Sequence, residues 1–350
     1  MSGTGTVVAI ATPLETELVA RIEAVDDRLQ VRYEPDLLPP PRFMCDHRGA
    51  ASFHRTSEQN GRWRAMLAEA EVLFGIPDDS PQGLADVVRS GGRLRWVQAT
   101  SGGAGEHVAA ADLSTEERQR VLITRAGGVH AGPLAEFAIF GLLAFTKGLP
   151  RLLADQQAKR WDHYPVAELA GSTVLVVGLG SVGLQVARLA KAFGMRVIAV
   201  NRSGHTDSPD VDQIRTARFL GDLLPVSHGV VLTLPLTEKT RGMIDAAAIA
   251  RMHSRAVLVD IGRGGVIDEP ALVQALQQGK LAGAALDVFA TEPVPADSPL
   301  WTLPNVLLSP HTAGLSVREN ERIIDVFCEN LRRYLAGDEM LYRVHPTLLY

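Results

Sequence analysis

The run Thr173-Val174-Leu175-Val176-Val177, followed at once by Gly178-Leu179-Gly180-Ser181-Val182-Gly183, constrains this chain more than any other stretch. An unbroken Val/Leu run reads as a parallel strand buried on both faces. Three glycines at this spacing give a tight turn, a close backbone approach to a pyrophosphate, and close packing of the next helix on the strand. Val182, Val186, Leu189 and Ala190 then recur at helical spacing. The N-terminus of that helix presents unpaired N–H groups and the positive end of its dipole, which suits a phosphate. Strand, turn and helix together predict a dinucleotide site at Gly178, Gly180, Ser181, Val182 and Gly183.

A second strand should end about 20 residues after the glycines, where an acidic residue holds the ribose 2′-hydroxyl of NAD. Arg196-Val197-Ile198-Ala199-Val200 fits the strand, but it ends in Asn201-Arg202-Ser203 with no carboxylate. Without the acid, repulsion of a 2′-phosphate is gone. Arg202 can form a charge-assisted fork to it, and Ser203 can donate a hydrogen bond. NADP(H) is therefore expected, with NAD(H) as the alternative.

A chain of 350 residues can bury a sizeable core and is expected to make two domains. Its net charge of −5 gives no electrostatic reason to expect nucleic acid or an anionic membrane as partner. Cys45 and Cys328 lie far apart in sequence, so they make neither a disulfide framework nor a metal-ligand cluster, and a reducing cytoplasm fits them. The first residues lack the basic, apolar order of a signal peptide. No run reaches the roughly 18 apolar residues of a spanning helix.

Strands and helices alternate along the chain. Strands are expected at 7–10, 71–75, 94–98, 121–124, 230–234, 256–260, 283–286 and 305–308, besides the two above. Helices are expected at 14–22, 133–145 and about 316–334. Residues 34–60 are rich in Pro, Arg, His and Ser without period and read as an insertion or long loop. Such alternation implies parallel sheets covered by helices on both faces. The glycine fingerprint normally opens its unit, yet here it falls mid-chain, so the first ~120 residues must form a separate α/β domain.

Three segments fall at the ends of expected strands, where ligands bind in open α/β sheets. They are Asp260-Ile261-Gly262-Arg263-Gly264-Gly265-Val266-Ile267-Asp268-Glu269, Ala285-Leu286-Asp287-Val288-Phe289-Ala290-Thr291-Glu292-Pro293, and Ser309-Pro310-His311-Thr312-Ala313-Gly314. They supply a guanidinium, a carboxylate and an imidazole. Reducing a 2-keto acid needs hydride at C2 and a proton for the developing alkoxide. An imidazole can give or take that proton near neutral pH, and a neighbouring carboxylate fixes its tautomer. A guanidinium stays charged and can fork onto a carboxylate and carbonyl. Glu292 is a better partner for His311 than Asp287, since the proline-flanked turn carries it past the strand.

The glycine fingerprint, D-I-G-R-G-G-V-I-D-E, A-L-D-V-F-x-x-E-P and S-P-H-x-A-G, in this order, resemble the D-isomer-specific 2-hydroxyacid dehydrogenases, above all NADP-dependent glyoxylate/hydroxypyruvate reductases. The likeness covers most of residues 70 to 335. It implies two Rossmann-like α/β domains, with a dinucleotide-binding domain (127–314) inserted into a flavodoxin-like substrate domain (1–126 and 315–350). It also implies that Arg263 orients the substrate carboxylate and carbonyl, that His311 is the general acid/base, and that Glu292 pairs with it. Gly75 and the Ser101-Gly102 turn match the family's backbone cradle for the substrate carboxylate. Leu234, Pro235 and Thr240 resemble the loop that skirts the cofactor, and Ile261, Gly262, Asp287 and Gly314 complete the implied cofactor contacts. Leu234 stands where a polar residue is frequent. The 133–145 helix resembles a dimer-forming helix, so a homodimer acting on a small 2-keto or 2-hydroxy acid is implied. Two alternatives share the fold: a dinucleotide-sensing, non-catalytic corepressor, and a formate or phosphite dehydrogenase.

Overall fold

The computed structural model describes residues 5–90 and 92–345. The chain divides into two compact units. One joins the residues up to His130 with those from Leu315 onward; the other runs Ala131–Gly314.

The first unit is a parallel sheet of β1 (Thr6–Ile10), β2 (Leu29–Arg32), β3 (Val72–Phe74), β4 (Trp96–Gln98) and β5 (Leu122–Thr124), in the spatial order β2-β1-β3-β4-β5. This is the flavodoxin-like order. Strand residues alternate between two apolar faces, because successive side chains point to opposite sides. Val8, Ile10, Phe74 and Trp96 meet Ile323, Ile324, Phe327 and Leu331 of the helix Glu319–Ala336. Phe327 packs 4.9 Å from the Phe74 ring and 5.1 Å from Trp96. Ala9, Leu73 and Val97 face the other way, onto the helices Ser57–Glu69 and Pro81–Ser90.

The second unit holds β6 (Thr173–Val177), β7 (Arg196–Asn201), β8 (Gln213–Thr216), β9 (Gly229–Leu232), β10 (Val257–Asp260), β11 (Gly283–Leu286) and β12 (Val306–Leu308). All are parallel, in the order β12-β11-β10-β9-β6-β7-β8. Val174, Val176, Val197, Val231, Val259 and Ala285 pack on the helices Ala131–Thr146 and Ser181–Ala192. Leu175, Val177, Ile198, Val230, Leu232, Leu258 and Leu286 face the helix Glu269–Gln277. Gly141 permits the helix Ala131–Thr146 to lie hard against β11, since a Cβ there would come within 2.5 Å of the Ala285 methyl. Among the described residues no single helix is long and apolar enough to cross a membrane.

Three local expectations need correction. β2 and β8 are strands that the sequence pattern does not announce, because both are edge strands carrying Arg and Gln. The 34–60 segment is not all loop. Pro35–Leu37 forms one 3₁₀ turn, and the helix Ser57–Glu69 begins inside it. A capping box starts that helix: Thr56 Oγ1 accepts the Gln59 N–H at 3.2 Å, and Gln59 Oε1 accepts the Thr56 N–H at 2.9 Å. Only Trp63 and Met66 of the helix are buried, so its periodicity is faint.

Candidate active site

The β6 turn has the backbone that the glycines require. Gly178 has a φ of +104°, and a Cβ on it would lie 2.8 Å from Thr233 Oγ1. A Cβ on Gly183 would sit 2.1 Å from the Gly178 carbonyl oxygen, so only glycine lets this helix approach its strand. Gly180 differs: nothing in the protein lies within 4 Å of a Cβ placed there. No side chain caps the helix that starts at Ser181, so its first N–H groups remain available to a ligand. Val182 instead turns into the core. β6 is flanked by β7 and β9, so the glycine turn leaves the sheet at its topological switch point.

The other candidate residues of this unit follow the C-terminal ends of neighbouring strands. After β7, Asn201 Oδ1 accepts the Gly204 N–H at 2.6 Å and its Nδ2 donates to the His205 carbonyl at 2.8 Å. Asn201 thus shapes the loop that displays the exposed Arg202 and Ser203. After β9, Leu234 and Pro235 lead into a turn where Thr240 Oγ1 donates to the Pro235 carbonyl at 2.7 Å. After β10, Ile261 is buried, and a Cβ on Gly262 would lie 2.7 Å from the Leu234 carbonyl oxygen. Three strand-end turns, at Gly178, Leu234 and Gly262, are therefore in contact.

Arg263 follows Gly262, half-buried, with Nη1 donating to the Gly262 carbonyl at 2.8 Å. Its turn is set by Asp260, fully buried at the end of β10, whose Oδ1 accepts the Gly262 N–H at 2.9 Å. Asp260 Oδ2 has neither solvent nor partner. Burial pushes this carboxyl up to about 8. Next to Arg263, Gly264 lies so close to the Phe289 backbone that a Cβ would come within 2.0 Å of its carbonyl carbon. The Arg263 turn and the Phe289–Glu292 turn are thereby packed together.

His311 Nδ1 lies 2.8 Å from Glu292 Oε2, with both side chains partly exposed. Glu292 Oε1 accepts the Phe289 N–H at 3.0 Å, which aims the carboxylate. His311 has a φ of +53°, a conformation that costs energy for a residue with a Cβ. Asp287 holds it there. Asp287 Oδ1 accepts from Ser309 Oγ at 2.6 Å, the Thr312 N–H at 2.8 Å and the Ala313 N–H at 2.9 Å. Asp287, expected as a cofactor contact, is 2% exposed with its carboxylate committed to the loop that carries His311. Gly314 ends the unit. Asp260 and Ser309 stand in the motif segments with no role assigned by the sequence, yet both are buried. Their burial, the property that marks them, has no local sequence signal.

In the first unit Gly75 ends β3 with a φ of +90°, its N–H donating to the Gln98 carbonyl at 2.8 Å. Ser101 and Gly102 follow β4, and the Ser101 carbonyl accepts the Ala126 N–H at 3.1 Å. Both turns sit at the C-terminal edge of the sheet.

A parallel sheet with a glycine turn at its switch point, and a histidine–glutamate pair beyond its later strands, is the framework of a dehydrogenase that binds a nicotinamide dinucleotide. The family model described as D-isomer specific 2-hydroxyacid dehydrogenase, NAD binding domain, matches residues 139–313. A glyoxylate reductase of Aeropyrum pernix is 32% identical over 293 residues, 80% of this chain and 83% of that protein. A D-3-phosphoglycerate dehydrogenase of Methanocaldococcus jannaschii is 32% identical over 78% of this chain, which spans about half of that protein (51%). The crystal structure of a D-isomer specific 2-hydroxyacid dehydrogenase from Xanthobacter autotrophicus Py2, in complex with NADPH and MES, is 27% identical with a TM-score of 0.77, covering 99% of this chain and 100% of that one. The chain belongs to the D-isomer specific 2-hydroxyacid dehydrogenase family. It is therefore an NAD(P)-dependent oxidoreductase of the 2-hydroxyacid type.

Proposed function

We propose that this enzyme reduces small 2-keto acids to D-2-hydroxy acids with NADPH, as a glyoxylate/hydroxypyruvate reductase does. The observation that carries the reading is the 2.8 Å pair of His311 Nδ1 and Glu292 Oε2, on a turn packed against the one that bears Arg263. The Glu292 carboxylate accepts the Nδ1–H, so the proton that comes and goes is the one on Nε2, the nitrogen left to face a substrate oxygen. His311 then gives that proton to the developing alkoxide, and takes it back in the reverse direction. Arg263 holds the substrate carboxylate and polarises its carbonyl. The turns at Gly75 and Ser101-Gly102 resemble the family's backbone cradle for a substrate carboxylate, although the Gly75 N–H itself is spent on the Gln98 carbonyl.

The dinucleotide supplies hydride when bound. The protein's fit to it rests on Gly180, where open space meets an uncapped helix N-terminus suited to a pyrophosphate. Arg202 and Ser203, on a loop end without a carboxylate, support a 2′-phosphate. NADPH oxidation measured with glyoxylate, hydroxypyruvate and larger keto acids, beside NADH, tests the whole reading. Arg202→Ala should erode the preference for NADPH. Equal or better use of NADH by the wild type, or no turnover with any keto acid, refutes it. We also propose a homodimer through the helix Ala131–Thr146 and its neighbour Leu149–Gln157, where Phe140, Leu152 and Leu153 are about half exposed.

A further inference from the structure

The first unit contains a buried polar cluster that the reaction above does not use. The irregular stretch 38–56 carries His47 onto the end of β1, where Thr12 Oγ1 lies 3.0 Å from His47 Nδ1. His47 Nε2 lies 3.9 Å from Glu319 Oε1, and the same oxygen is 3.1 Å from His130 Nε2. Glu319, in the first turn of the helix Glu319–Ala336, has a side chain 4% exposed. The next residue, Asn320, donates to Glu15 Oε2 at 2.8 Å. Three atoms of the group have neither solvent nor a hydrogen-bond partner: His47 Nε2, Glu319 Oε2 and Asn320 Oδ1. Burial pushes the His47 imidazole below its ordinary value, against the opposing pull of Glu319.

One end of this cluster packs against the Gly75 turn, and the other lies beside the Ser101-Gly102 turn. A Cβ on Gly75 would come within 2.9 Å of Thr12 Cβ and Cγ2. A Cβ on Gly102 would lie 3.7 Å from His130 Nδ1. Two imidazoles and a carboxylate that are only partly satisfied cost stability, and apolar side chains of the same volume would fill the space more cheaply. What the polar groups add is direction: the Thr12–His47 and His130–Glu319 hydrogen bonds fix the side chains that lie beside the turns.

We propose that Thr12, His47, His130 and Glu319 are positioning residues, a brace behind the Gly75 turn and the Ser101-Gly102 turn that fixes the backbone of both as a cradle for a substrate carboxylate. The proposal rests on the reading of those turns as the carboxylate cradle. Glu319 links the two ends of the brace, through His130 to one turn and beside His47 and Thr12 to the other. His47 comes from a segment without regular structure, so the brace also gives that segment a role.

The test uses the full chain with NADPH and two independent readouts. Keto acid turnover by the wild type tests the proposed reaction. Oxalate, a dicarboxylate that cannot be reduced, tests the cradle by titration calorimetry whether or not turnover is seen. Thr12→Val and His47→Leu should weaken oxalate binding about tenfold, the order of one lost, well-directed hydrogen bond. The keto acid KM should rise in parallel, while kcat and the NADPH KM stay near wild type. Thr12→Ser restores the hydroxyl, and His47→Asn restores a polar group at the Nδ1 position, so both should recover oxalate binding. Thr12→Val barely changes volume and decides the matter if His47→Leu does not fold. Wild-type oxalate affinity in both apolar variants overturns the brace. So does an equal loss in the Ser and Asn variants, which marks a role in packing alone, or no oxalate binding by the wild type. Tight oxalate binding without keto acid turnover refutes the reaction and leaves the brace standing or falling on the variants.

Discussion

Asp260→Asn should flatten the pH dependence of stability. Asp260 is fully buried at the end of β10, one carboxyl oxygen accepts the Gly262 N–H at 2.9 Å, and the other has no partner. Burial raises its pKa from 3.8 to about 8. Between those two values the folded protein keeps a proton that the unfolded chain releases. The folded state binds more protons there, so this group makes stability fall as pH rises through the window, and the fall stops above the folded pKa. One pKa unit corresponds to about 1.4 kcal/mol, so the accumulated loss by pH 7 is about 4 kcal/mol. Asparagine keeps an oxygen for Gly262 and cannot ionise. Its amide N–H₂ lacks an acceptor, which costs about 1–3 kcal/mol at every pH. The variant should therefore gain on the wild type by about 1.4 kcal/mol per pH unit between pH 5 and 7 and be the more stable protein near pH 8. Urea midpoints followed by circular dichroism on the cofactor-free protein, wild type and variant, at pH 5, 6, 7 and 8, measure this. A stability difference that stays constant across the series refutes the argument, because a pH-independent difference means that Asp260 does not hold its proton.

The remaining predictions concern the site itself. His311→Ala should lower kcat by about 10²–10⁴, the usual share of a positioned acid/base, with NADPH affinity unchanged; near-normal turnover removes His311 from the chemistry. Glu292→Gln should lower kcat less than His311→Ala does, because the amide can still hold Nδ1 without the charge. Gly183→Ala should destabilise the fold by about 1–3 kcal/mol, since its methyl meets the Gly178 carbonyl, whereas Gly180→Ala should melt like the wild type yet bind NADPH more weakly. A thermal melt and a fluorescence titration separate the two, and matching behaviour of both variants contradicts the pyrophosphate reading of Gly180.

Much of the architecture is legible in local pattern. The apolar runs at 174–177, 229–232, 257–259 and 283–286 are buried throughout, so period and composition both mark them as central strands. Edge strands β2 and β8 escape because no residue of either is fully buried and both carry Gln and Arg, with Gln30, Arg32 and Arg215 exposed. The helix Ser57–Glu69 escapes because its buried face is only two residues wide, although Thr56 and Gln59 do spell its start. In the candidate site, the proline-flanked turn points to Glu292 rather than Asp287 as the neighbour of His311, and the two carboxylates differ in what they hold. Glu292 meets the imidazole, while Asp287 takes three bonds from the loop beneath it. That loop bond pattern could not be read from either segment alone.

By itself the chain's order of residues determined where strands, glycine turns and polar groups lie along it, because periodicity, φ restrictions and motif spacing act over a few neighbouring residues. Tertiary structure alone decided which carboxyl groups are buried, which oxygen of each is occupied, and that His47 from an irregular segment meets Glu319 more than 250 positions away. Burial and hydrogen-bond partnership depend on what folds on top of a residue, and short-range sequence carries no record of that.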